Sequence, residues 1–483
     1  MTALPRPHRA AAVVLAVFAA AEVGFAIWAA FTGHGRVVDP RVGYGPDSAL
    51  YLAAARSPVW SRGFLAGPGP FGFLLLAKLC ARNLRAIVLV QSVIAAGAWA
   101  FLASTVAGVM RNNLARWVGF VGILGVALAP GVLQWNAMIT TESLSLSTLC
   151  AVVACAIRLA QRGTRRELAW FLAALAAFAF TRDTNALVAG GIGVVALACA
   201  VRPVWRVRAA AIGAVGVALA VGATAFGNAA RPPRWYWPVA ETTAVRLLDD
   251  PGATRYLVDH GFPWDAQTRT LPQRYVYISD QVTAGSDFAA FRHWVRVDGR
   301  RVYGKFLLTH PGWALRKPFD ARDAFFDLGT VEVYGRVYRN RPGGLFTVAG
   351  TVGAPRAPGV TEVWTVAAAV ALALLAWRRR VRPALAGAVA LIGAFAIVGY
   401  YAAWHGDALE VYRHALSAAV QLRIALWVVT ALVVDALMTR RADSDVRVPE
   451  DADLDQEEHE GAPRDQPAGA VADLGAYDCG RTV

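Results

Sequence analysis

The sequence predicts an all-α polytopic membrane protein with about ten transmembrane helices, a mixed extracytoplasmic domain and a disordered cytoplasmic tail. Three observations predict it. The 483 residues are 56% hydrophobic and 17% charged, more apolar surface than a soluble chain of this length buries. The apolar residues fall into ten runs divided by polar segments. Most of the arginine clusters in alternate connections, which marks those loops as cytoplasmic and reads the formal charge of +14 as topology rather than as a nucleic-acid surface. The five cysteines, Cys80, Cys150, Cys155, Cys199 and Cys479, have neither zinc spacing nor a disulfide framework.

Taken in order, Arg6, His8 and Arg9 precede an apolar run over 10–31. It is too long for the core of a secretory signal and is read as a retained first span, basic end inside. Glu22 sits in its middle, either as a hydrogen-bonded packing residue or as a functional carboxylate facing the bundle interior. Residues 63–80 are apolar but rich in Gly and Pro and edged by Arg62, Lys78, Arg82 and Arg85, the pattern of an interfacial or re-entrant helix. Further spans are expected at 86–110, 117–133, 144–160, 168–181, 186–201 and 209–226. Gly190, Gly191 and Gly193 lie inside one of these, where small residues permit close helix packing rather than phosphate binding.

The long polar region 228–358, with many Trp, Tyr, Arg and Asp, reads as a folded extracytoplasmic domain with helix over 287–319. Its aromatic residues either stack on sugar rings or anchor it at the membrane interface. Spans at 363–377, 384–401 and 415–437 follow. The chain thus divides into a membrane part, 1–227, with a first outer loop at 32–85; the domain 228–358; C-terminal helices, 359–441; and an acidic tail, 442–483, poor in aromatics. With the N-terminus inside, the arginine clusters all fall on the cytoplasmic side of a cell membrane, and five segments face out: the first loop, 134–143, 182–185, the large domain, and 404–414.

These outer segments carry the candidate site residues. Asp47, in the turn Gly45-Pro46-Asp47-Ser48, is either a helix cap or a catalytic carboxylate. Glu142, at the start of a span, either answers the helix dipole or takes part in the chemistry. Arg182 and Asp183 either neutralise each other or hold an anion through the guanidinium. His405 and Asp407 precede Glu410, Arg413 and His414, whose spacing of three and four puts them on one helix face, as a solvated ion-paired end or as a phosphate site.

The acidic first loop with Asp47, the amphipathic segment after it, Thr141-Glu142-Ser143 leading into a later span, and a late polar domain together resemble the C-type (GT-C) glycosyltransferases, such as the protein O-mannosyltransferases and the lipid A aminoarabinose transferases. Those mannosyltransferases carry two adjacent acidic residues in the first loop, whereas here Ser48 follows Asp47. The resemblance, over residues up to about 440, implies an integral membrane enzyme that moves a sugar from a polyprenyl-phosphate carrier to a glycan, lipid or protein acceptor, with inversion. Asp47 would be the general base. Arg413, His414 and Arg182 would stabilise the leaving phosphate, with Glu142, Asp183, Glu410 and His405 in support. No cofactor, metal or nucleic acid is expected. The rival readings are a transporter or lipid flippase and a non-catalytic membrane scaffold.

Overall fold

The computed structural model describes residues 6–32, 46–201, 206–273, 280–328, 331–333, 336–338, 345–354, 357–406, 408 and 410–445. The expected disordered tail beyond residue 445, with Cys479, and also residues 43–45 and Asp407 lie outside the described residues. The described residues up to Thr439 form one compact unit.

Among the described residues the first half of the chain is helical. α1 (Arg6–Thr32) is continuous. α2 (Pro46–Ala54) opens on Pro46, whose missing N–H is not needed at a first position, and carries Asp47 in its first turn. The Gly/Pro-rich stretch expected to be interfacial breaks into α3 (Arg62–Leu65) and α4 (Phe71–Leu79), which bury Phe64, Phe73 and Leu74. α5 (Leu84–Val109) is capped by Asn83, which accepts from the N–H groups of Arg85 and Ala86. α6 (Asn113–Ala127) gives way at Ala129-Pro130 to α7 (Pro130–Leu133), because a proline cannot extend the preceding helix; the stretch Pro130–Ala137 is bent by 55° from α6. α8 (Glu142–Arg162) stops at Gly163, whose φ of 61° suits glycine. α9 (Arg165–Ala179), α10 (Asp183–Cys199) and α11 (Arg206–Ala229) follow.

α10 and α11 approach very closely through glycines, as the Gly-rich run implied. A Cβ on Gly216 would stand 2.5 Å from the Ala189 carbonyl oxygen, and one on Gly193 would stand 2.9 Å from the Val217 nitrogen.

The segment expected as an outer domain begins with α12 (Tyr236–Thr242), which runs into a π-helical turn, Thr243–Leu247. Then come α13 (Pro251–Asp259), α14 (Asp280–Ala284) and α15 (Ala289–Trp294). A second π-helical turn, Val295–Gly299, joins α15 to α16 (Arg300–Thr309), and α17 (Pro311–Arg316) and α18 (Asp323–Phe326) complete the run. Helix therefore covers the stretch 287–319 much as the apolar spacing predicted. The expected mixture of helix and sheet shrinks, among the described residues, to one antiparallel pair, β1 (Val331–Val333) and β2 (Arg336–Tyr338), with Val331 opposite Tyr338. This segment has its own apolar cluster, in which Tyr236, Leu257, Phe262, Phe291, Trp294 and Phe306 are buried together.

α19 (Leu345–Gly353), α20 (Pro358–Trp377), α21 (Pro383–Gly406) and α22 (Val411–Asp445) end the described chain. Arg423 of α22 is fully buried and donates to the carbonyls of Phe325, at 2.9 Å, and Phe326, satisfying the end of α18.

Among the described residues seven helices are long and apolar enough to cross a membrane, or eight if the bent pair counts as one span. The architecture is that of a multi-pass membrane protein. α9 and α10, expected as the fifth and sixth spans, have 15 and 17 residues, short of the roughly 20 that cross a bilayer unaided.

A buried polar network sets where α8 begins. Gln91 of α5 donates to the carbonyls of Asn136 and Met138 at 2.6 and 2.7 Å, satisfying backbone that the proline break left without helical partners. Asn136 donates to Glu22 at 2.7 Å and accepts from Ser143 at 2.6 Å. Through this bond Glu22 ties α1 to the residues just ahead of Glu142.

Candidate functional site

Four separate pieces of chain bring their charges together at one end of the bundle. Asp47 comes from the first turn of α2, Glu142 from the start of α8, Arg182 from the extended residue before α10, and Glu410, Arg413 and His414 from the start of α22. Arg413 is the hub. Its Nη2 donates to Asp47 Oδ2 at 2.8 Å, its Nε to Glu142 Oε1 at 2.6 Å, and its Nη1 to Glu410 Oε2 at 2.8 Å. The planar guanidinium fork suits this geometry, whereas a lysine ammonium would not span three carboxylates at those angles.

Arg182 completes the cluster. Its Nη1 lies 3.6 Å from Glu142 Oε1, and its Nη2 donates to His414 Nδ1 at 2.7 Å. An arginine has no lone pair to offer, so Nδ1 must accept and the imidazole carries its proton on Nε2. That nitrogen stands 3.9 Å from Glu410. Three carboxylates against two guanidiniums leave one negative charge here while His414 is neutral.

Burial sorts the three acids. The side chain of Glu142 is fully buried, that of Glu410 is 7% exposed and that of Asp47 is 15% exposed. Asp47 and Glu410 line a cavity of about 1280 Å³, while Glu142 stands behind the two arginines. Glu142 therefore holds Arg182 and Arg413 from below and presents nothing to the cavity. Arg413, 3% exposed and shared among three carboxylates, holds Asp47 in place more than it offers charge to a ligand. Ser48, buried next to Asp47, donates to the Ile139 carbonyl at 2.7 Å and ties the start of α2 to the chain leading into α8.

Asp183 and His405 line the same cavity but belong to other contacts. Asp183 accepts from Arg234 at 2.8 Å, and Arg234 also donates to the carbonyls of Gly67 and Gly69. Of the two readings open to this pair, mutual neutralisation is not what the structure shows: Arg182 turns inward and Asp183 meets a residue 51 positions later. His405 donates from Nε2 to the Ala314 carbonyl at 3.0 Å, and the Tyr303 hydroxyl lies 3.1 Å from Nδ1. Both ring nitrogens are engaged, so His405 braces α16 and α17 against the end of α21. Burial pushes the Tyr303 phenol above the ordinary tyrosine value, which keeps the proton it donates.

Several cavity residues were not marked by the sequence as part of a site. Glu241 of α12, buried, forms part of the wall with Trp237 and Tyr303. Arg62, Arg231 and Arg300 also line it, and all three are exposed. On the flank formed by α10 and α11, Leu187 and Ala223 make the wall apolar. At about 1280 Å³ the cavity exceeds the roughly 300–1,000 Å³ of ordinary small-molecule sites. Among the described residues no group of three or more His, Cys, Asp or Glu has the arrangement of a metal site.

No protein-family model matches the chain, and no curated protein matches it.

Proposed function

We propose that this protein is a glycosyltransferase of the cell membrane that takes a sugar from a polyprenyl-phosphate carrier and passes it to an acceptor hydroxyl on the extracytoplasmic side. The reading takes α9 and α10 as spans within a ten-helix membrane part and 228–358 as an outer domain.

One observation carries it: Asp47 borders a large cavity while its Oδ2 is fixed by Arg413. A carboxylate so held suits a general base. The acceptor O–H gives its proton to Asp47 as its oxygen bonds to the anomeric carbon. The bond from that carbon to the phosphate oxygen breaks, its electron pair leaves with the phosphate, and attack from the opposite face inverts the centre. The charge that gathers on the phosphate calls for fixed cations nearby. Arg182 lines the cavity with Asp47, Arg231 adds a guanidinium exposed to it, and the neutral His414 beside Arg182 has an Nε2–H to donate. The apolar flank at Leu187 and Ala223 suits a polyprenyl tail leaving toward lipid.

The test uses membranes containing the wild-type chain or Asp47→Asn, given polyprenyl-phosphate sugars from the native host with the sugar labelled. Label that leaves the carrier only with wild-type protein supports both the class and the base. Transfer that survives Asp47→Asn keeps the class and removes the base; no transfer by folded wild-type protein removes the class and sends the work to transport assays.

A further inference from the structure

Beside the large cavity lies a shallow, open groove of about 650 Å³. One face of the helix that runs through Val295–Gly299 into α16 supplies most of its wall, with Arg296, the adjacent Arg300 and Arg301, and Lys305 on three successive turns, Val297 and Leu308 beside them, and Trp235 completing it. The four cations have few competitors. Asp298 accepts from Arg301 at 2.7 Å, and Arg300 donates one N–H to Asn228 at 3.2 Å while lying 5.7 Å from the Trp235 ring. Arg296 and Lys305 line the groove on either side of Arg300 and Arg301.

Trp235, Arg300 and Gly304 line both cavities, so the two meet there. At Gly304 a Cβ would find nothing within 4 Å, which leaves the junction open. Arg296 and Lys305 are nine residues apart, about 13 Å at the helical rise of roughly 1.5 Å per residue. A lipid headgroup concentrates its charge at one point and would be met by a compact cluster. A strip of cations about 13 Å long that opens into the Asp47 cavity matches charges repeated along an extended chain.

We propose that this groove holds a polyanionic glycan acceptor, with phosphate or carboxylate groups along its length, and leads its terminal hydroxyl past Trp235 and Gly304 toward Asp47. The inference names the acceptor class for the transferase reading above and rests on it.

The experiment measures binding of labelled short-chain inorganic polyphosphate to the purified full chain in detergent, with neutral dextran as the blank. Arg296→Gln/Arg300→Gln/Lys305→Gln is compared with Arg378→Gln/Arg379→Gln/Arg380→Gln, which loses the same charge after α20. The groove variant is expected to weaken binding at least about tenfold and to flatten its salt dependence, with the control variant within about twofold of wild type. Equal weakening in both would mean non-specific attraction and overturn the proposal. Displacement of polyphosphate by phosphatidylglycerol, but not by phosphatidylcholine, would make the groove a lipid site and also overturn it. Thermal unfolding checks that the groove variant is folded, and the single variant Lys305→Gln, expected to weaken binding about threefold, stands in if the triple variant is not. If no chain transfers label while groove-specific binding persists, the transferase reading fails and the polyanion site stands; if the groove variant transfers and binds like wild type, the site fails and the transferase stands.

Discussion

Asp47 and Arg413 are 366 residues apart in the chain and 2.8 Å apart in the structure. Asp47 is the least buried of the three carboxylates around Arg413, so the same contact that orients it leaves part of it to the cavity. If Asp47 is the base, Asp47→Asn removes proton acceptance while leaving an oxygen for Arg413. Transfer is expected to fall about 10²- to 10⁴-fold, with the melting temperature within a few degrees of wild type. Initial rates on labelled donor, beside a thermal unfolding scan, check both halves.

Arg413→Met should behave differently. It leaves Asp47, Glu142 and Glu410 facing one another with a guanidinium lost, and breaking a buried ion pair from one side costs about 3–5 kcal/mol. A lower midpoint in denaturant, together with loss of transfer, is expected. Adding Glu142→Gln to Arg413→Met should recover part of the stability and none of the activity; a double variant no more stable than the single one would mean that charge is not the cause.

Close contact between α10 and α11 gives a test away from the site. Gly216→Leu must find room where even a Cβ would be 2.5 Å from the Ala189 oxygen. Overpacking costs about 1–3 kcal/mol, and separating the two helices adds to that. Reduced folded yield in detergent is expected for Gly216→Leu, with Gly222→Leu close to wild type because a Cβ there meets nothing within 4 Å.

The polar segment has a pH signature at Asp250. Burial pulls its carboxyl upward, but hydrogen bonds from the Ala253 N–H, the Trp313 indole and the Gly252 N–H, with Lys317 nearby, outweigh burial and hold it below the ordinary aspartate value of 3.8. A depressed carboxyl contributes stability that is fully present above the unfolded value and is lost as pH falls through the folded one. Stability of the wild-type chain should therefore drop below about pH 4, and Asp250→Ala should both flatten that limb and cost about 1 kcal/mol at neutral pH through the lost cap of α13. Melting curves from pH 3 to 7 test it.

Much of the membrane part could be read from the chain because apolar runs and arginine clusters are local signals. The expected spans fall on helical chain, although 117–133 is divided between α6 and α7, and α9 and α10, about as long as the apolar runs that announced them, stay short of the roughly 20 residues that cross a bilayer. The grouping of Glu410, Arg413 and His414 was also legible, since three- and four-residue spacing decides which side chains share a helix face. Which partners they take was not. Arg182 beside Asp183 invites a local pair, yet Asp183 meets Arg234 and Arg182 meets Glu142 and His414. Such choices depend on which helix ends converge, and nothing near Arg234, Glu241 or Tyr303 in sequence announces that they border the same space as Asp47.

The hub at Arg413 also bears on how the protein is made. Asp47 and Glu142 emerge from the ribosome long before the guanidinium that joins them, and the cavity wall is incomplete until α22 is inserted. Until then the early helices carry acidic groups without the cation that gathers them. α22, the last helix among the described residues, is therefore the keystone of the cluster: without it the three carboxylates lack their shared guanidinium and the cavity lacks one side.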